Sequence, residues 1–175
     1  MNNSIGGKLA KPSVAKLHLK NEALLYSKKH IMIYFKDLTS EEQDLLLKFP
    51  AYISLLAANS DGKFDQAEKL SSIEFNHVKT YSCDPMLADF FDKVDIDFAH
   101  TIIELNNALP LGKVNRNDSI KKKLAELDAI VIKLGAEYTS TMHKSMESFK
   151  NHVSLAHHNV LIDFIFPIPV KGLSY

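Results

Sequence analysis

Cysteine is nearly absent: Cys83 stands alone among 175 residues. One thiol closes no internal disulfide and cannot complete a cysteine-based zinc site within one chain. It reads as a small, half-buried residue ahead of a helix. Arginine is equally scarce, and the single Arg116 leaves no bidentate anion clamp. No stretch approaches the roughly 18 apolar residues of a membrane span. Residues 1–20 scatter four lysines among isolated apolar side chains, without the apolar run of a signal peptide, so the expected compartment is cytoplasmic. Six glycines show no collagen period and build no phosphate loop. Gly-x-Ser-x-Gly and His-Glu-x-x-His are also missing, and the expectation is a protein without catalytic machinery.

What remains is an ordinary globular composition, 46% hydrophobic and 24% charged. At this length a chain buries about 70% of its unfolded surface, so a metal is optional for folding and no cofactor is required. Lys+Arg and Asp+Glu both total 21, yet the zero is regional. Residues 1–30 carry net +5, residues 37–104 net −9 and residues 113–150 net +3. The basic arm has few aromatics and offers salt-sensitive phosphate contact at most, so nucleic acid is not the expected partner.

The organisation follows the charge: a basic arm over 1–36, an acidic helical core over 37–112, a long helical segment over 113–160 and an extended, proline-containing tail over 161–175. Thr39 and Ser40 ahead of Glu41, Glu42 and Asp44 are a helix start, with acids where the dipole favours them. Pro50 ends that helix or opens the next, whose Tyr52, Ile53, Leu55, Leu56, Ala57 and Ala58 are apolar nearly all round and belong in a core. Asp65 and Glu68 form a capping box for a helix to about Tyr81, with Leu70, Ile73, Phe75 and Val78 inward. Asp84-Pro85 starts another, whose stripe runs from Leu87 through Phe98 to Leu105, with a break expected near Asp95. Pro110, Gly112 and Asn115 to Asn117 mark a loop.

From Ile120 onward apolar residues recur every three or four positions to Val160, at a mean of about 3.64, close to a straight helix. Such a helix would span roughly 60 Å against a globule diameter of about 40 Å, so it must bend, break or project. Residues 135–141 are the expected weak point. Ile31 to Phe35 and Leu161 to Val170 read as extended segments, or as a two-stranded ribbon.

Two constellations are candidates for chemistry. Between two helices, Asn59, Asp61, Gly62, Phe64, Asp65 and Glu68 fall at positions of a calcium loop whose first ligand is replaced by Ala57. Asp61, Asp65 and Glu68 are the candidate ligands of a divalent cation such as calcium. Turn and cap explain the same residues without metal, and that plainer reading is preferred. The second constellation is histidine beside carboxylate at helical spacing: His18/Glu22, Glu74/His77, His100/Glu104 and His143/Glu147. Asp97, His100 and Glu104 share one face and are the best of these. Glu74 and His77 match half of a ferritin-like di-iron motif, for which no second half exists.

The run Leu55-Leu56-Ala57-Ala58, followed by Asp61-Gly62, Asp65 and Glu68 and an amphipathic helix, resembles the tellurite-resistance TerB-like domain over about residues 40–109. The resemblance implies an all-α, multi-helix bundle, found alone or attached to other modules such as membrane-bound J-domain proteins. It also implies an association with stress and metal or metalloid resistance, and cation binding by acidic residues, here Asp61, Asp65 and Glu68. The resulting expectation is a non-enzymatic binding module with a protein partner. Two alternatives stay open: a structural protein that self-associates through its long helix, and a metal-dependent redox bundle using Glu74, His77, His100 and Glu104.

Overall fold

Thr39, Asp65 and Asp84 each hold a helix start by accepting hydrogen bonds from backbone N–H groups that the first turn leaves orphaned. A computed structural model describes residues 34–58 and 64–155, and among them every regular element is helical. The order is α1 (Ser40–Leu46), α2 (Phe49–Ala58), α3 (Gln66–Ser82), a 3-10 turn (Pro85–Leu87), α4 (Ala88–Ala108), α5 (Lys113–Ile132) and α6 (Ala136–Leu155). The chain is an all-α, multi-helix bundle. Expectations for the basic arm before Tyr34, for the tail and for His18/Glu22 fall on residues outside those described.

Helix α2 is the axis of the bundle. All ten of its residues are buried, and α3, α4, α5 and α6 pack around it. Pro50 lies in its first turn, where the missing N–H costs nothing, and Ser54 Oγ donates to the Pro50 carbonyl at 2.9 Å. Around α2 lie Phe90, Phe91 and Phe98 of α4, Leu124 and Leu127 of α5 and Met142, Met146 and Phe149 of α6, all buried. Tyr34 and Phe35 close one end by setting their rings 5.0 and 6.0 Å from that of Tyr138.

The long apolar stripe does serve one core, but as two helices. Gly135 adopts φ +94° between α5 and α6, a conformation that side chains disfavour and that ends helices. Thr139 Oγ1 then donates to the carbonyls of Val131, at 3.0 Å, and Gly135, at 2.8 Å, fixing the corner. Ile120, Leu124, Leu127 and Val131 on one arm and Tyr138, Met142, Met146, Phe149 and Val153 on the other are buried within the chain. The length that motivated self-association through one continuous helix is therefore absorbed by a bend.

Two local expectations are corrected, and the break expected near Asp95 is found. Asn115 to Asn117 are helical, because α5 begins at Lys113 after Gly112, at φ +89°, turns the chain. Arg116 secures that first turn by donating to the Asn106 carbonyl at 3.1 Å and to Asn106 Oδ1. The interruption of α4 falls at Asp97 (φ −134°, ψ 15°), two residues beyond the expected Asp95. On α3 the buried row is Glu68, Ser72 and Asn76, while Leu70 is 48% exposed and Ile73, Phe75 and Val78 are half-buried. The row lies inward because α3 sits between α4 and α6, and hydrogen bonds offset most of its polar cost, Asn76 Oδ1 alone being buried without a partner among the row's side-chain atoms described. Ser72 Oγ donates to the Glu68 carbonyl at 2.7 Å, and Asn76 Nδ2 donates to Asp95 Oδ1 at 2.9 Å.

Candidate functional site

The capping box that opens α3 occupies the acidic residues singled out for a cation. Asp65 Oδ1 accepts from the N–H groups of Ala67, at 2.8 Å, and Glu68, at 3.0 Å. Glu68 Oε2 accepts in return from the Asp65 N–H at 3.0 Å, and its side chain is buried. Both carboxylates thus serve the helix start, between them satisfying three backbone donors. Asp61, the third candidate, lies outside the described residues.

Asp97, His100 and Glu104 do share a face of α4, but an open one. His100 Nδ1 lies 3.7 Å from Asp97 Oδ2 and 3.5 Å from Glu104 Oε2, and the three side chains are 70, 63 and 66% exposed. Both carboxylates approach the same ring nitrogen, which makes a surface ion pair worth little to stability. Among the described residues, no group of three or more His, Cys, Asp or Glu side chains is arranged to hold a metal ion. Glu74, His77, His100 and Glu104, the residues of the di-iron reading, form no such group. His77 turns instead to α4, where its Nδ1 lies 2.8 Å from Asp95 Oδ2. With Asn76 on the other carboxylate oxygen, Asp95 ties α3 to α4.

His143 likewise takes a partner across helices rather than along its own. Its Nε2 lies 2.6 Å from Asp128 Oδ1, with both side chains buried, while Glu147 pairs with Lys150 at 2.9 Å. Spacing along one helix hid this contact. A usable signal was present: Asp128 and His143 each directly follow a stripe residue, Leu127 and Met142, on opposite sides of Gly135.

Lys133 near the end of α5 pairs with Glu42 of α1, which holds the Glu42 carboxyl below its usual range. Along α4, Asp89, Asp92 and Asp95 follow one another at three-residue spacing, with Asp95 engaged by Asn76 and His77. Burial, and then repulsion from Asp89 and Asp95, pushes the Asp92 carboxyl up. Cys83 is pushed up by burial as well, so its thiol is held protonated rather than activated as a nucleophile. No helix of the described residues is long and apolar enough to cross a membrane.

Comparison with family models, curated proteins and solved structures finds no match to this chain.

Proposed function

We propose that this chain is a non-enzymatic helical binding module whose acidic surface receives a basic segment of a protein partner. The observation that carries the reading is Asp92 on α4, whose carboxyl is pushed up by burial and then by the charges of Asp89 and Asp95 three residues to either side, which raises the cost of its charge in the free protein. An arriving lysine-rich segment relieves that cost, so this stretch of α4 favours a cationic partner. The polar groups inside the fold, Asp128 with His143 and Asn76 with Asp95, are engaged in ties between helices. A lysine-rich peptide titrated into the protein tests the proposal. Binding at low ionic strength that weakens on adding salt, and weakens again in Asp92→Asn, supports it; no binding at low salt removes it.

The resemblance to TerB-like domains, with their stress and metal-resistance associations, belongs to the same reading and supplies a weak cation site. A cation there would compete with the capping box of α3 for oxygens of Asp65 and Glu68, so any affinity is low. Calorimetric titration with calcium, magnesium and zinc to millimolar concentration decides that part, and absence of heat removes it.

A further inference from the structure

A groove runs between α1 and α4, and one exposed isoleucine stands on its edge. Two depressions of about 310 and 230 Å³ share Asp44, Leu47, Lys93 and Asp97, so they form one continuous channel. Leu47 is half-buried in it, and the interruption of α4 at Asp97 falls on its wall. Ile96 lies at one end with 84% of its surface in solvent. A branched apolar side chain beside a partly apolar cleft is a knob next to a hole on the same face.

The charges on this face separate it from the rest of the acidic region. Asp44 and Asp97 are balanced by Lys48 and Lys93, whereas residues 37–104 as a whole carry fourteen acids against five lysines. A two-fold contact brings a surface patch against its own copy, so a patch of one sign repels itself and a balanced patch does not. A strongly basic or strongly acidic partner would gain from two of these charges and lose on the other two. Balance, knob and groove together fit one occupant, a second copy of this chain.

We infer that the α1/α4 groove is the contact face of a symmetric dimer, with Ile96 of each copy seated in the groove of the other. The site is incomplete without the partner copy, which supplies the isoleucine. The contact uses the α1 side of α4, goes beyond the binding of a basic segment, and stands whether or not that binding occurs.

Sedimentation equilibrium of the full chain, from micromolar to about millimolar concentration, tests it. The expected mass rises toward twice the 19.7 kDa of one chain. Ile96→Asp weakens the association at least tenfold while helical circular dichroism is unchanged, because the side chain is solvent-exposed in the monomer. Val114→Asp, another exposed apolar residue but at the start of α5, leaves it unchanged. Asp97→Lys weakens it several-fold by unbalancing the rim, and adding Lys93→Asp restores it to within about twofold. A chain that stays monomeric throughout overturns the inference, including the case where residues before Tyr34 or another protein fill the groove. A dimer that tolerates Ile96→Asp overturns it too. Either failure leaves the peptide titration above unaffected, so the two proposals fail separately.

Discussion

Asp128 of α5 and His143 of α6 meet at 2.6 Å with both side chains buried, fifteen positions apart in the chain. They lie at nearly equal distances on either side of Gly135, so their contact fixes how far the two helices can open. Asp128→Ala withdraws a carboxylate from a buried imidazole, and the expected loss is about 3 kcal/mol. Replacing both residues by leucine should cost less than the two single changes together, because neither polar group is then left behind. Urea denaturation of the single and double variants measures this. Additive losses would show that the two residues act independently.

The corner itself offers a second measurement. A Cβ placed on Gly135 meets nothing within 4 Å, so the whole cost of Gly135→Ala comes from holding φ at +94°. That cost is about 1–2 kcal/mol, and Gly135→Asn should lose less, since asparagine tolerates positive φ. Equal stability of the alanine variant would mean that the corner is not left-handed in solution.

Asp65 can be assigned between cap and cation ligand by choice of substitute. Serine caps a helix nearly as well as aspartate, so Asp65→Ser should stay within a few tenths of a kcal/mol of the parent while Asp65→Ala loses about 1 kcal/mol. A carboxylate needed for a cation would instead be lost equally in both. Thermal melts with and without millimolar calcium distinguish the two roles, the cap predicting no calcium-dependent difference between variants.

These contrasts show what kind of information a sequence makes legible. Caps are local chemistry, and those at Asp65 and Asp84, and the one at Thr39 or Ser40, were legible because the side chain serves N–H groups two or three residues on. The stripe from Ile120 to Val153 was legible because burial repeats with the helical turn, and Gly135 sat in its expected weak segment. Partners across helices were not. His77 and His143 each sit near a glutamate on their own helix, yet both turn to an aspartate on another. Hydropathy placed Ile73 and Phe75 against the core but misplaced Leu70, and it missed the fully buried row of Glu68, Ser72 and Asn76, which the surrounding helices cover. Of the candidate site, the capping box of Asp65 and Glu68 was the preferred reading of the sequence, and the geometry places one oxygen of each carboxylate on backbone N–H groups at the helix start.

His152 predicts a loss of stability in mild acid. It stacks on Phe75, ring centroids 4.0 Å apart, and burial lowers its folded pKa below the ordinary 6.5, a shift that Glu74 opposes and Lys79 reinforces. Below pH 6.5 the unfolded chain therefore takes up this proton before the folded one does, and stability falls as the pH drops through that range. Above it the imidazole is neutral in both states and the penalty is absent. His152→Phe keeps a ring against Phe75 without the titration, so its melting temperature should change less than the parent's between about pH 7 and pH 5. Parallel curves for the two proteins would count against the assignment.

Asp92 predicts the opposite sign, and links stability to the proposed function. Burial first, then the charges of Asp89 and Asp95, raises its folded-state pKa above 3.8. The ionised carboxylate therefore weakens the fold at neutral pH, and the penalty fades as the pH falls and the group is protonated in both states. Asp92→Asn should raise the melting temperature at pH 7, with the gain vanishing toward pH 3. If this stretch of α4 exists to meet a basic segment, the same variant must bind the lysine-rich peptide less well, so stability and affinity move in opposite directions from one substitution. A variant more stable and equally tight in binding would separate the strained carboxylate from the binding surface and place the partner's contact elsewhere on the helices.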